Sequence, residues 1–192
     1  MNDTIDAILM AAGFSQRFGD ANKLLAPFRG KALARHTLDL VCGIACFRRV
    51  LFIVADDAVR ALAEGLPVSV IHNKHPEFGQ RESIRLGVAA SDAAYYVFFP
   101  CDQPLLDEAT VCAILAQRTE GRITQPMYAG TPASPTLYSA AFRSELLALA
   151  EGEPGSVIKK RHPEALYSVE VASSLALLDI DTPETLRSLE VC

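Results

Sequence analysis

The chain predicts an α/β fold, a single-domain Rossmann-like doubly wound and mostly parallel sheet. Its 192 residues are half apolar and about one-fifth charged, the balance of one globular unit with one sizeable core. Short apolar runs of strand length alternate with stretches in which apolar residues recur at helical spacing, which is the signature of βαβ units. The first apolar run also opens directly into a glycine-containing loop.

The elements follow in order. Ile5 to Met10 is a buried-strand run ending near Ala11. From Lys31 to Phe47, Leu33, Leu38, Leu40, Val41 and Ile44 mark a helix, and Val50 to Ala55 marks a second strand. A helix over Asp57 to Glu64, a strand over Pro67 to Ile71, a helix over Arg81 to Ser91 and a strand over Tyr95 to Phe99 continue the series. A helix to Gln117 and a strand over Arg122 to Pro126 come next, before a Gly/Pro-rich segment from Ala129 to Pro135. Helices are expected near Ala140 to Ala150 and Pro154 to Arg161, and closing strands over Tyr167 to Val171 and Leu175 to Ile180. Thr182, Pro183 and Glu184 supply an N-cap, a proline at the first helical position and an early carboxylate for a last helix. No repeat, low-complexity tract or linker divides the chain, so residues 1–192 read as one domain.

A formal charge of −5 and the absence of a dense Lys/Arg run argue against nucleic acid or an anionic membrane as partner. The apolar stretch Ala7 to Ala12 is too short for a signal or a membrane span, so a cytoplasmic protein is expected. Five cysteines are an odd number for a disulfide framework; Cys42 and Cys46, four apart on an expected helix, read as small buried hydrophobes.

In doubly wound sheets ligands bind beyond the strand C-termini, so the loops after Met10 and Phe99 should share one crevice. The first, Ala11 to Leu25, carries Gly13 and Gly19, whose backbone can approach phosphate closely, and the fixed charges of Arg17 and Lys23. Its spacing fits neither a Walker loop nor a dinucleotide fingerprint. An ordinary βα turn with a solvated Arg and Lys is the alternative. The second, Pro100-Cys101-Asp102-Gln103-Pro104, places Asp102 at a strand end, where a carboxylate suits Mg²⁺ shared with substrate phosphates. The alternative there is a turn cap before Pro104.

These residues resemble the MobA-like nucleotidyltransferases, and most of all the molybdenum cofactor cytidylyltransferases. The opening motif L-x-A-A-G-x-S-x-R-x-G-x-x-K-L-L is matched by Leu9, Ala11, Ala12, Gly13, Ser15, Arg17, Gly19, Lys23, Leu24 and Leu25, with one extra residue before Lys23. The resemblance implies a nucleotide-diphospho-sugar transferase type fold and nucleotide contacts from Ala11, Ala12, Gly13, Ser15, Arg17 and Lys23. It also implies a metal held by the Asp of the D-Q-P signature, Asp102, and, because guanylyl-transferring relatives tend to have Gly where Ala12 stands, CTP as donor. Asp179-Ile180-Asp181-Thr182-Pro183-Glu184 resembles the D-I-D-T-P-E-D ending of the same enzymes, with Asp181 the first choice for a second metal carboxylate and Asp179 the second. On an extended strand the two would face opposite ways. Gly79 to Gly87 resembles G-x-x-x-S-L-R-x-G and implies contacts from Ser83 and Arg85; Gly130 to Tyr138 resembles G-x-P-G-H-P-V-L-F, with Ala133 and Ser134 in place of Gly and His.

Lys159, Lys160, Arg161 and His162 form a small basic group suited to an anionic acceptor, with a solvated face as the alternative. The expected activity is Mg²⁺-dependent transfer of CMP from CTP to a phosphorylated acceptor of the molybdopterin type, with catalytic roles for Arg17, Lys23 and Asp102, and a molybdoenzyme chaperone as a further partner implied by the resemblance. Two competing readings stand beside it. One is a CTP- or GTP-dependent transferase for a sugar or polyol phosphate, and the other a nucleotide-binding regulatory protein without turnover. A nicotinamide oxidoreductase has little support, since its glycine fingerprint is missing.

Overall fold

The computed structural model describes residues 3–13, 18 and 22–190. Strand β1 (Ile5–Ala11) lies at the centre of the sheet, paired in parallel with β4 (Phe47–Val54) on one side and β6 (Tyr95–Pro100) on the other. Strand β5 (Ser69–His72) extends the sheet in parallel beyond β4. On the other flank come β9 (Thr136–Ser139), β7 (Ile123–Tyr128) and β10 (Leu166–Glu170), giving the order β10-β7-β9-β6-β1-β4-β5. Strand β9 runs antiparallel to both neighbours, and β8 (Thr131–Pro132) pairs with β7, so the eight-stranded sheet is mostly parallel.

Alternation along β1 divides the core into two layers. Ala7 and Leu9 face α1 (Leu33–Gly43), α2 (Asp57–Ala61) and α4 (Glu108–Ala116), while Ile8 faces α3 (Gln80–Ala89), α5 (Arg143–Leu147) and α6 (Ser156–Arg161). A smaller cluster seats α7 (Pro183–Glu190), through Leu186 and Leu189, on Phe28, Leu33 and Ile180. The Thr182 hydroxyl accepts from the Thr185 N–H at 3.2 Å, which is the N-cap its sequence position predicts.

Four expectations need correction. The helix expected from Lys31 begins at Leu33; the hairpin β2 (Pro27–Phe28) and β3 (Lys31–Ala32) precedes it, turning through Arg29 and Gly30, both at positive φ. The Gly/Pro-rich segment is a second tight hairpin, turning through Ala129 and Gly130 between β7 and β8. The strand expected at Leu175 to Ile180 is a 3₁₀ turn over Leu175–Leu177 followed by irregular chain, so the argument that Asp179 and Asp181 point to opposite faces of a strand falls. Finally, α1 ends before Cys46; Cys46 and Cys112 are exposed, Cys42 is half-buried, and only Cys101 behaves as a buried small hydrophobe among the described cysteines.

Gly87 allows α3 to lie against β1: a Cβ there would come within 2.5 Å of Ile8 Cγ2 in the closed core. Gly43, at the end of α1, has nothing within 4 Å of such a Cβ. Gly43→Ala is therefore expected to be neutral or stabilising by about 0.5 kcal/mol. Gly87→Ala should cost about 1–3 kcal/mol through overpacking, partly offset by helix propensity, and urea denaturation of the two variants separates the cases.

Helix α6 is tied to α5 by His162, whose Nε2 lies 2.8 Å from Glu145 Oε1 and whose Nδ1 lies 3.3 Å from Glu164 Oε1. Partial burial opposes charge on the ring, but the hydrogen bonds to Glu145 and Glu164 outweigh it and raise the pKa. A raised folded-state pKa stabilises fully below the ordinary histidine value and loses that effect as pH rises through the folded value. The melting-temperature deficit of His162→Gln should accordingly be larger near pH 5.5 than near pH 8.

Candidate functional site

The C-terminal ends of β1 and β6 lie side by side because Met10 is in register with Pro100. Asp102 follows β6 by two residues, and the backbone N–H of Ile180 donates to its carbonyl at 2.9 Å, drawing the Asp179–Asp181 segment over the same sheet edge. Gln103, almost fully buried, strengthens this junction: its Nε2 donates to Leu177 O at 3.1 Å. The adjoining chain is thus fixed by backbone carbonyls at two places.

Lys23, in the 3₁₀ turn Lys23–Leu25, sits at the convergence point. Asn22 caps this turn by accepting from the Leu24 N–H. The Lys23 ammonium donates to Asp102 Oδ2 at 2.6 Å and to Asp181 Oδ1 at 2.9 Å. Burial alone would lower the lysine pKa, but the charges and hydrogen bonds of Asp102 and Asp181 outweigh that and hold it raised. Oδ1 of Asp102 is buried and accepts no hydrogen bond among the described residues. Asp179 remains partly open to solvent. Desolvation and the neighbouring charges of Asp102 and Asp181 nonetheless push its carboxyl up to about 6, against the opposing effects of Gln103 and Lys23. Cys101, buried beside Asp102, has its thiol pushed up by desolvation and by that charge, and serves as packing.

A pocket of about 230 Å³ opens here, lined by Met10, Ala12, Gly13, Gly79, Ser83 and Asp102 among others. Ser83 is buried on α3, and its hydroxyl accepts from Asn73 Nδ2 at 3.4 Å, with Asn73 itself bound through its N–H to Val54 O. Asn73 follows β5, so the loop beyond that strand braces this wall. Arg85 does not join the pocket: two positions on from Ser83 it projects from the outer face of the helix, where its guanidinium pairs with Glu82. Ser15 and Arg17 lie outside the described residues.

The acceptor candidates separate. Lys160 is exposed and Arg161 pairs with Glu153, whereas Lys159 turns inward and donates to Gln125 Oε1 at 2.8 Å. Lys159 and Ser134 together line both a pocket of about 250 Å³ and an adjoining one of about 720 Å³ that reaches Asp179. The smaller of these shares Met10 and Gln80 with the Asp102 pocket, so the three form one continuous groove. Gln125, Gln103 and Asn73 were given no role in the sequence reading. Only Gln125 carried a signal, as an amide inside the apolar start of β7, a position polar side chains occupy when hydrogen-bonded; Gln103 and Asn73 lie in loops beyond β6 and the largely exposed β5.

Among the described residues no group of three or more His, Cys, Asp or Glu side chains converges as a metal cage. Asp102 and Asp181 do converge on one cation, and the orphaned Asp102 Oδ1 retains an acceptor for another. That donor set fits a hard divalent ion held by one or two carboxylates and by substrate oxygens.

The nicotine blue oxidoreductase of Paenarthrobacter nicotinovorans is 26% identical over 98% of this chain and 100% of that protein. The molybdenum cofactor guanylyltransferase of Shewanella baltica is 30% identical over 60% of this chain, an alignment that spans 58% of that protein. A solved structure from Mycobacterium tuberculosis H37Rv is 25% identical, with full coverage of both chains and a TM-score of 0.80. A manganese complex of the same protein is 26% identical over 98% of each chain, with a TM-score of 0.71. The model of the MobA-like NTP transferase domain matches residues 7–166, and the chain belongs to that family.

Proposed function

We propose that this protein transfers a nucleotidyl group from a nucleoside triphosphate, with CTP as donor, to a phosphorylated small molecule of the molybdopterin type, releasing pyrophosphate. The observation that carries this reading is the shared pocket after β1 and β6, where Asp102 stands against Ala12, Gly13 and Ser83 and is bonded to Lys23. The CTP preference rests on the resemblance, in which guanylyl-transferring relatives tend to have Gly where Ala12 stands; Ala12 lines this pocket. The guanylyltransferase relative favours GTP instead, so the donor is decided by direct comparison.

In this reading an oxygen of the acceptor phosphate attacks the α-phosphorus in line, a new P–O bond forms, and the bond to the β-phosphate oxygen breaks as pyrophosphate departs. No protein nucleophile is required; orientation and charge neutralisation supply the rate. Mg²⁺, when bound by Asp102 and Asp181, adds positive charge against the triphosphate oxygens. Lys23, held at 2.6 Å from Asp102, keeps an ammonium at the mouth of the phosphate loop, and Arg17 is assigned to the same anion from its place in the sequence. Ser83 is assigned to the nucleoside, and Arg85, paired with Glu82, to the helix surface. The same reading places the protein in the cytoplasm and leaves a molybdoenzyme chaperone as a candidate partner; no helix among the described residues is long and apolar enough to cross a membrane.

Pyrophosphate release with Mg²⁺, a molybdopterin-type acceptor and each of the four nucleoside triphosphates tests the proposal. Release with CTP, reduced about 10²-fold or more in Asp102→Ala, is the expected outcome. Release with GTP alone would correct the donor. Triphosphate binding without release would favour a regulatory protein. NAD(P)H binding with no release would favour the reductase reading that the full-length match to nicotine blue oxidoreductase suggests.

The Lys23 cluster makes a separate prediction about stability. Lys23 and Asp102 are only 16% and 18% exposed, so removing the ammonium leaves partly buried carboxylates uncompensated. Lys23→Met should cost about 2–3 kcal/mol. The double variant Lys23→Met/Asp102→Asn should be less destabilised than the sum of the single variants, by about 1–2 kcal/mol in a urea-denaturation cycle.

A further inference from the structure

Lys159 is compensated differently from the other inward-facing lysine. Lys23 faces two carboxylates, whereas Lys159 forms no ion pair with any described carboxylate and bonds only to the neutral Gln125. Burial accordingly lowers its pKa, with no opposing charge to restore it. A cation taken out of water without a counter-charge is costly, and the folded protein sustains this one at the seam between two pockets of the groove.

Gln125 determines where that ammonium stands. Its side chain is 3% exposed on β7, and both ends of the amide are engaged: Oε1 accepts from Lys159 and Nε2 donates to Ser168 Oγ on β10 at 3.3 Å. The reverse orientation would set the NH₂ group against the ammonium, so the lysine itself selects the one observed. Elsewhere in the same pocket wall, Gln80 Oε1 accepts from the Gly155 N–H at 3.2 Å, tying the start of α3 to the chain entering α6. Lys159 thus stands on a braced helix where it lines both the pocket of about 250 Å³ and the outer cavity. That cavity has mixed walls: Tyr128, Pro132, Leu177 and Leu178 supply apolar surface, and Thr131, Ser174 and Asp179 supply polar groups.

We infer that Gln125 is a positioning residue for the acceptor: its buried neutral amide fixes the Lys159 ammonium at the pocket seam without neutralising it, leaving the charge for a phosphomonoester whose partly apolar body occupies the outer cavity. This deepens the transferase reading and rests on it for the identification of the outer cavity as the acceptor side. An amide is suited to the task because it supplies the hydrogen bond that orients the ammonium, while a carboxylate at the same place would form a closed ion pair and compete with the ligand. The chemistry recognised is that of a phosphate monoester with an apolar portion, in contrast to a free inorganic anion, which would leave Tyr128, Pro132, Leu177 and Leu178 uncovered.

Phenyl phosphate and inorganic phosphate are the probes, titrated by calorimetry with and without a saturating α,β-methylene triphosphate. The native protein should bind phenyl phosphate more tightly than inorganic phosphate. Lys159→Met and the isosteric Gln125→Glu should each weaken phenyl phosphate about tenfold or more, and Gln125→Leu severalfold, while Lys159→Arg retains most of the affinity and triphosphate binding stays within about twofold throughout. Gln125→Glu separates positioning from structure, since a new ion pair with Lys159 preserves or raises the melting temperature while abolishing the grip. It also covers the case in which Gln125→Leu folds poorly. No measurable binding of phenyl phosphate by the native protein, or binding indifferent to Lys159→Met and Gln125→Glu, overturns the inference and leaves the transferase reading standing. Lys159-dependent binding in a protein that neither binds a triphosphate nor releases pyrophosphate overturns the transferase reading and leaves the Gln125–Lys159 grip.

Discussion

The hydrogen bonds from the Lys23 ammonium to Asp102 and Asp181 join three chain segments separated by 79 and 158 positions, and the functional end of the sheet is organised around them. Each segment leaves the sheet for a different reason. Lys23 follows β1, Asp102 follows β6, and Asp181 arrives from the turn that seats α7. Parallel pairing of β1 with β6 fixes the first two in register, and the Ile180 N–H on the Asp102 carbonyl fixes the third. Without a cation at their meeting point, Asp102, Asp179 and Asp181 would repel one another at a closed edge, so the fold of this corner and its charge state are a single problem.

The central strands were legible in the sequence because a strand segment buried on both faces must be apolar, and residues 7–11, 50–54 and 95–99 are; the charged starts of β1 and β4, Asp6 and Arg48, pair with each other at the opposite edge. Asp102 was legible for the complementary reason: a carboxylate directly after such a run emerges where ligands of doubly wound sheets bind. Elements that depend on partners far away in the chain were not legible. Strand β9 is short and antiparallel, and its four residues acquire strand geometry only by filling the space between β6 and β7. The segment Leu175–Leu177 has the apolar content of a strand, but the sheet already ends at β10, and Ala176 and Ile180 bury themselves by turning instead. The hairpin before α1 was announced by Gly30 between two apolar pairs, a turn signal outweighed by the helical spacing after it.

The site residues divide along the same line. Position on a helix decides Ser83 against Arg85: both occur in one motif, yet a 100° step per residue sends the second away from the sheet, and Glu82 takes up its charge. The basic run Lys159 to Arg161 reads as one patch in sequence but resolves into one inward ammonium and two outward charges, because Ile158 is the residue of α6 that the core holds and it sets the rotation of its neighbours. The amides that brace these groups, Gln103, Gln125 and Asn73, bond to partners from other elements, and no local pattern names those partners.

The two inward lysines define what each half of the groove requires of its ligand. Around Lys23 the described protein charge is three carboxylates against one ammonium, an excess of negative charge facing the pocket assigned to a polyanionic triphosphate. A triphosphate approaching that corner gains little from Lys23 unless further positive charge enters with it. Under the proposed function a divalent ion on Asp102 and Asp181, together with Arg17, provides that charge and frees the Lys23 ammonium to face phosphate. At Lys159 the ammonium is bonded to a neutral amide and ion-paired with no described carboxylate, although Asp179 lines the outer cavity with it. The donor half is thus suited to a ligand that arrives with a cation, and the acceptor half to one that bonds Lys159 directly. Under that function the two halves are chemically unequal before either substrate binds.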